Sequence, residues 1–265
     1  MSEGQVSVQT EGGVAELRIR NASRRNAFTQ VMWLELEAQL DNLESDDDVR
    51  VVALRGDGGK AFSAGADIGE LKTLLADPAA LEQNNTLIRR VQLRLERFSK
   101  PTVALIEGAC VGGGFGVALA CDLRWARTDA VFAVTPSRLG LLYSLPDTHR
   151  MLRILGPTLT RELLFTGRRM NSDEALAKGM LTACISETDF EVEIAERLAT
   201  LASASASALS GIKQTLSYLE GTSKRSSDEI DALFAAAFQS RDCREGARAF
   251  LEKRTPKFNQ PGEDN

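Results

Sequence analysis

Residues 108–122 read GACVGGGFGVALACD, with glycine at 112, 113, 114 and 116. Glycine inside a helix costs about 1 kcal/mol against alanine, so a cluster like this is kept where something must approach the backbone closely. A second small-residue loop, FSAGADI, spans residues 62–68. Each loop follows an apolar run and leads into a segment of helical pattern. The first N–H groups of a helix have no intrahelical partner and carry partial positive charge, so they can hold an anion. A nucleotide phosphate is a poor fit. No GxxxxGK(S/T) motif is present, and the loose GxGxxG/A match of Gly56, Gly58 and Ala61 is too far from the next helix, which opens only after Gly65. Two such loops facing each other would aim two N–H donors at one oxygen, forming an oxyanion hole. Two tight turns used for close packing would show the same pattern, and spacing alone does not choose between them.

The elements that must position these loops can be read from periodicity. QVSVQTEGGVAELRIR alternates around Gly12-Gly13 and predicts a hairpin. Phe28, Met32, Leu36, Leu40 and Leu43 recur at helical spacing, with the helix ending at Asp46-Asp47-Asp48. VRVVALRG and KPTVALIEGA are continuous apolar runs, expected as strands buried on both faces. Residues 79–99 predict a helix. CDLRWART, AVFAV and LTACI predict further strands, and from about residue 188 the chain reads as nearly all helix. NSDE at 171–174 and Ser226 with Glu229 carry the capping-box pattern. SASASA, residues 203–208, predicts a helix junction. Alternating strands and helices in the first half argue for an α/β fold with mostly parallel strands.

The chain has 265 residues, 43% hydrophobic and 26% charged, with a formal net charge of −5. That balance is ordinary for a globular protein and argues against nucleic-acid binding, which needs a basic face. No apolar run reaches the roughly 18 residues of a membrane span, and the N-terminus lacks a signal-peptide pattern. A soluble cytoplasmic chain is expected, with no membrane partner. Cys110, Cys121, Cys184 and Cys243 are widely spaced, and His149 is the single histidine. No metal site is predicted. The four thiols are expected to be buried and reduced, and His149 to be solvated or to cap a helix.

The segments GKAFSAGADIGEL, KPTVALIEGACVGGGFGVALACDLRWA, LLFTGRRMNSDEALAKGML and REGARAFLEKRTPKF together resemble the enoyl-CoA hydratase/isomerase (crotonase) family over nearly the whole chain. The resemblance implies a spiral of ββα units over residues 1–202 and a helical oligomerisation region over 203–265, assembled as a homotrimer or a dimer of trimers. It also implies an acyl-CoA substrate, with coenzyme A entering as part of that substrate and no permanently bound cofactor. The amides of Ala66 and Gly113 would hold a thioester enolate. Arg24, Arg25 and Ala27, with Ala64, Asp67 and Ile68 beside the first donor, would contact the CoA handle, although Asp67 also reads as a helix cap. Phe250 would neighbour the adenine and Lys253 a phosphate.

The chain departs from the family's hydratases at both acid–base positions. The glutamate of a GGGxE pattern is Gly116 here, and FAVTPSRLG puts Pro136 where a second glutamate stands. Hydration needs a base for water and an acid for the α-carbon, and neither residue can serve. TPSRLGLLYS resembles the methylmalonyl-CoA decarboxylase branch, in which a tyrosine faces the substrate carboxylate. Tyr143 takes that place, although the branch keeps glutamate at position 116 and histidine at position 66. Asp147 reads as a relocated acid or as a turn or cap aspartate. Ser144 stands where some relatives carry a catalytic aspartate, so nucleophilic dehalogenase chemistry is not expected. Decarboxylation of a carboxyacyl-CoA is the first expectation, hydration or isomerisation through Asp147 the second, and acyl-CoA binding without turnover the third.

Overall fold

A computed structural model describes residues 4–258; residues 1–3 and 259–265, the outer ends of the two regions expected above, lie outside them. The hairpin forms as predicted. Strands β1 (Gln5–Glu11) and β2 (Val14–Arg20) pair antiparallel across Gly12 and Gly13, both at positive φ, which suits a two-residue turn. Thr29 caps α1 (Gln30–Glu44) by accepting the Met32 N–H, and Met32, Leu36, Leu40 and Leu43 are buried. Phe28 falls outside this helix because Thr29 takes the cap. It stacks on Trp33 with ring centroids 4.2 Å apart.

The chain then coils. The first coil contains β3 (Val51–Gly56), β4 (Ala61–Ser63), α2 (Ile68–Leu74) and α3 (Pro78–Glu96). In the second come β5 (Thr102–Ile106), β6 (Ala109–Val111) and α4 (Gly113–Ala120). The third has β7 (Leu123–Arg127), β8 (Val131–Ala133) and α5 (Leu145–Thr166), the last broken at Gly156, where φ is 73°. Each coil gives one strand to each of two sheets. The six-stranded sheet runs β1-β2-β3-β5-β7-β10, with β10 being Ala183–Ile185; the four-stranded sheet runs β4-β6-β8-β9, with β9 being Arg169–Asn171. All pairings are parallel except β1 with β2 and β8 with β9. This is the expected α/β spiral of ββα units.

Both faces of the large sheet are covered, which explains why every residue of β3 and β5 is buried. Val52, Leu54, Ala104 and Ile106 join the core under α1, α3, α4 and α5. Val51, Ala53, Val103 and Leu105 face α7 (Phe190–Ser203) through Phe190, Ile194 and Leu198. Between β9 and β10, Asn171 caps α6 (Ser172–Ala177), and Gly179 follows it at positive φ. Glu174 closes no reciprocal box there, because Arg168 holds its carboxylate. Ser226 and Glu229 do form the full box.

The C-terminal part comprises α8 (Ala206–Leu219), α9 (Ser227–Gln239) and α10 (Arg241–Leu251). Lys213 ties α8 down through Asp122 at 2.7 Å and the Lys100 carbonyl at 3.1 Å. Phe234, Phe238, Phe250 and Leu251 are exposed on α9 and α10. Among the described residues no helix is long and apolar enough to cross a membrane.

The expectation of four buried thiols is corrected in part. Cys110 and Cys121 are buried, and burial pushes the Cys121 thiol up to about 12. Cys184 is half-buried on the edge strand β10, and Cys243 is exposed on the outer side of α10. All four are free.

Candidate active site

The first loop leaves β4 and is bound tightly to the segment before α1. Phe28 donates its N–H to the Gly65 carbonyl at 2.7 Å, and the Asp67 N–H returns to the Phe28 carbonyl at 2.9 Å. Ala64 donates to the Arg25 carbonyl at 2.9 Å. The Ala66 N–H, between these bonds, has no acceptor among the described residues. The second loop leaves β6, with the Gly112 N–H on the Ala133 carbonyl at 3.0 Å. Gly113 opens α4, so its N–H is one of the helix's unpaired donors.

The loops meet. A Cβ on Gly65 would stand 3.1 Å from the Gly113 nitrogen and 3.0 Å from the Val111 carbonyl oxygen. A Cβ on Gly113 would stand 3.9 Å from the Ala66 nitrogen. Gly65 also sits at φ +96°, where a side chain is strained. The glycines therefore serve different needs. Gly114 is fixed by packing, since its Cβ would collide with Ser63 at 2.6 Å; Gly112 is fixed by its backbone at φ 55°, ψ −117°.

Gly116 has a third reason. A Cβ there would lie 2.6 Å from Asp147 Oδ1 and 2.8 Å from Gln92 Nε2. The carboxylate of Asp147, which comes from α5, fills the space where a side chain at position 116 would begin. Asp147 is buried. Its Oδ2 accepts the Ser144 hydroxyl at 2.7 Å, and its Oδ1 accepts Arg150 at 2.9 Å. Arg150, also buried, donates to Glu96 at 2.9 Å and to the side-chain Oε1 of Gln92 at 3.2 Å. Burial pushes the Asp147 carboxyl up, more than Ser144 and Arg150 pull it down. The helix-cap alternative for this segment belongs to Ser144, which accepts the Asp147 N–H. Gln92 and Arg150 were not singled out from the sequence. The i,i+3 spacing of Asp147 and Arg150 was visible, but the burial that gives the pair meaning was not.

Tyr143 is half-buried against the core, and its hydroxyl donates to the Gly112 carbonyl at 3.0 Å. Pro136 starts a short 3₁₀ turn, Pro136–Leu139, and brings no acid–base group. His149 is exposed on α5.

The residues expected around the CoA handle divide into two groups. Arg24 pairs with Asp67 at 2.5 Å, and Asp67 caps α2 by accepting the Gly69 and Glu70 N–H groups. Burial opposes the Asp67 charge, but the Arg24 hydrogen bond and these amides outweigh it and hold the carboxyl below its usual range. Arg25, Ala27, Ala64 and Ile68 belong to the same cluster, with Ile68 exposed. Phe250 and Lys253 lie beyond it. Phe250 is 84% exposed, and no hydrogen bond or ion pair among the described residues joins either residue to the first loop.

A profile of the enoyl-CoA hydratase/isomerase family matches residues 9–261. The "Probable enoyl-CoA hydratase" of Bacillus subtilis is 34% identical, covering 96% of this chain and 98% of its own. A protein of Escherichia coli named methylmalonyl-CoA decarboxylase is 32% identical, covering 97% and 99%. A solved structure of an enoyl-CoA hydratase/isomerase family protein from Hyphomonas neptunium superposes with a TM-score of 0.90 at 34% identity, covering 96% and 97%.

Proposed function

The chain belongs to the enoyl-CoA hydratase/isomerase family, and from that premise we propose that this acyl-CoA-processing enzyme works through a thioester enolate, its reaction being decarboxylation of a carboxyacyl-CoA. The observation that carries the reading is the pair of amides at Ala66 and Gly113, close together and without acceptors among the described residues. A thioester oxygen between them would gain two donors at the point where enolate charge develops. Breaking the bond to the carboxyl group leaves its electron pair on the α-carbon, delocalised onto that oxygen, and releases carbon dioxide. One proton from an acid is then added to the α-carbon in place of the lost carboxyl group. The step needs the hole and one acid, whereas hydration needs an acid and a base. Asp147 supplies the acid, because it is buried against Gly116, one helical turn from the Gly113 amide, and burial pushes its carboxyl up. A decarboxylase is among the names of its relatives, at 32% identity beside the 34% of the one named probable enoyl-CoA hydratase, so the choice rests on the site.

Asp147 also supports a second reading. One carboxylate beside the hole can take a proton from one carbon and return it to another, which is double-bond isomerisation.

Arg24, Arg25, Ala27, Ala64, Asp67 and Ile68 form the near part of the CoA site. The exposure of Phe250 suits a residue that meets a nucleotide on a neighbouring subunit. Residues 203–265 serve oligomerisation, with exposed apolar side chains on α9 and α10 as the supporting observation. Coenzyme A arrives with the substrate, no permanent cofactor is used, and the enzyme works in the cytoplasm.

A screen of malonyl-, methylmalonyl- and crotonyl-type thioesters, followed by mass, tests the assignment. Loss of carbon dioxide from a carboxyacyl-CoA is expected. Crotonyl hydration that survives Tyr143→Phe but not Asp147→Asn would replace it. Binding with neither turnover nor α-carbon deuterium exchange would mark an inert CoA-binding protein.

A further inference from the structure

The carbonyl that accepts the Tyr143 hydroxyl, at 3.0 Å, belongs to Gly112. This carbonyl and the Gly113 N–H are two ends of one peptide group. We propose that Tyr143 is a positioning residue for the oxyanion hole: its hydroxyl holds the plane of the Gly112–Gly113 peptide and polarises the Gly113 N–H, instead of binding the substrate carboxylate. The inference rests on the enolate reading above.

Three observations lead to it. Gly112 lies at φ 55°, ψ −117°, a region that favours glycine, and a Cβ there would find only the Gly65 Cα, at 3.9 Å. The Cβ side of Gly112 is thus open and no side chain of its own anchors this residue, which leaves hydrogen bonds at its oxygen to fix the peptide plane. Its oxygen receives two of them, from Tyr143 and from the Gly116 N–H at 3.1 Å. Each donor on an amide oxygen draws electrons through the amide and makes the N–H a better donor, by roughly 10–30% per bond in condensed phase. The phenol also stays protonated, since burial pushes its pKa well above the ordinary range. It is therefore a donor at neutral pH. Its ring packs against the core, and phenylalanine would keep that packing while removing the bond.

The test uses the full chain with a saturated acyl-CoA carrying carbon-13 at the thioester carbonyl. Infrared spectroscopy reads the carbonyl stretch of the bound thioester, and mass reads deuterium uptake at the α-carbon. The wild type is expected to lower the stretch. In Tyr143→Phe the lowering should shrink by about half and exchange should slow about tenfold, a fraction of what losing a whole oxyanion donor costs, while Kd stays within about twofold. Replacing Tyr143 by 3-fluorotyrosine, a stronger donor of nearly the same shape, should increase the lowering, which a purely structural role would not do. No lowering in the wild type would overturn the enolate reading itself. A wild-type lowering that both variants keep unchanged would overturn the role of Tyr143 and leave the hole standing. So would a Tyr143→Phe variant that keeps the lowering but no longer decarboxylates, because the tyrosine would then act on the carboxylate.

Discussion

The two ends of α4 are finished in opposite ways. At its C-terminal end the chain closes the helix from within. Arg124, buried, donates to the Cys121 carbonyl at 2.6 Å, the Ala118 carbonyl at 3.5 Å and the Asp122 carbonyl at 3.4 Å, with its Nε on Met180 at 2.7 Å. At its N-terminal end the Gly113 amide and the neighbouring Ala66 amide have no acceptors among the described residues. Both ends carry unpaired backbone groups that cost free energy if buried bare. A helix end that only has to be stable is closed by a side chain of its own protein. An end left open beside a second open amide is shaped for something that arrives from outside.

The comparison can be broken at either end. The largest effect is expected from Gly65→Ala. Its methyl would enter the gap between the loops 3.1 Å from the Gly113 nitrogen, at a φ that alanine resists. Thioester turnover, or α-carbon exchange, should fall about 10³-fold, comparable to losing an oxyanion donor outright. Stability should fall by only about 1–2 kcal/mol from backbone strain. Full activity in this variant would mean that the open end is not the working one.

Arg124→Met should show the reverse profile. Removing the guanidinium leaves buried carbonyls unpaired, and a loss of about 3 kcal/mol is expected, or a Tm drop of roughly 6–12 °C at this chain size. Calorimetry measures it. Activity of the fraction that remains folded should be preserved.

Asp147→Asn, on α5 where its carboxylate faces Gly116 of α4, sharpens the comparison between those two ends. Turnover should drop about 100-fold if this carboxyl supplies the proton. The pH profile gives the sign. A raised pKa means that the folded state holds the Asp147 proton where the unfolded chain has released it. Stability from this group is therefore present below the ordinary carboxylate range and is lost as pH rises through the raised value. Proton delivery is lost over the same interval. Denaturant titrations and kcat profiles across acid pH should both lose this limb in the asparagine variant.

Much of the frame was legible in the sequence because long apolar runs and helical periods are local signals. β3 reads as buried on both faces and is so, and the Ser226–Glu229 box is present as written. The three-residue strands β4 and β6 are too short to show a period, yet they carry the two loops. The glycines were legible as close approaches but not by cause. Position 114 gives way to Ser63, and position 116 gives way to Asp147 and Gln92. Such reasons are pairwise and distant in sequence, so spacing along the chain does not contain them. The bond from Tyr143 to Gly112 spans 31 residues and was invisible for the same reason.

The coiled path of the chain has a consequence for the order of events. Val52 lies opposite Thr102, and Val103 opposite Leu123, so each rung is laid against the one made just before it. Both loops that carry the Ala66 and Gly113 amides are in the chain by residue 113, while Tyr143, whose hydroxyl donates to the Gly112 carbonyl, and Asp147 are delivered by the next lap. Substitutions in that later lap can therefore change the groups that surround the two amides without altering the two loops that carry them.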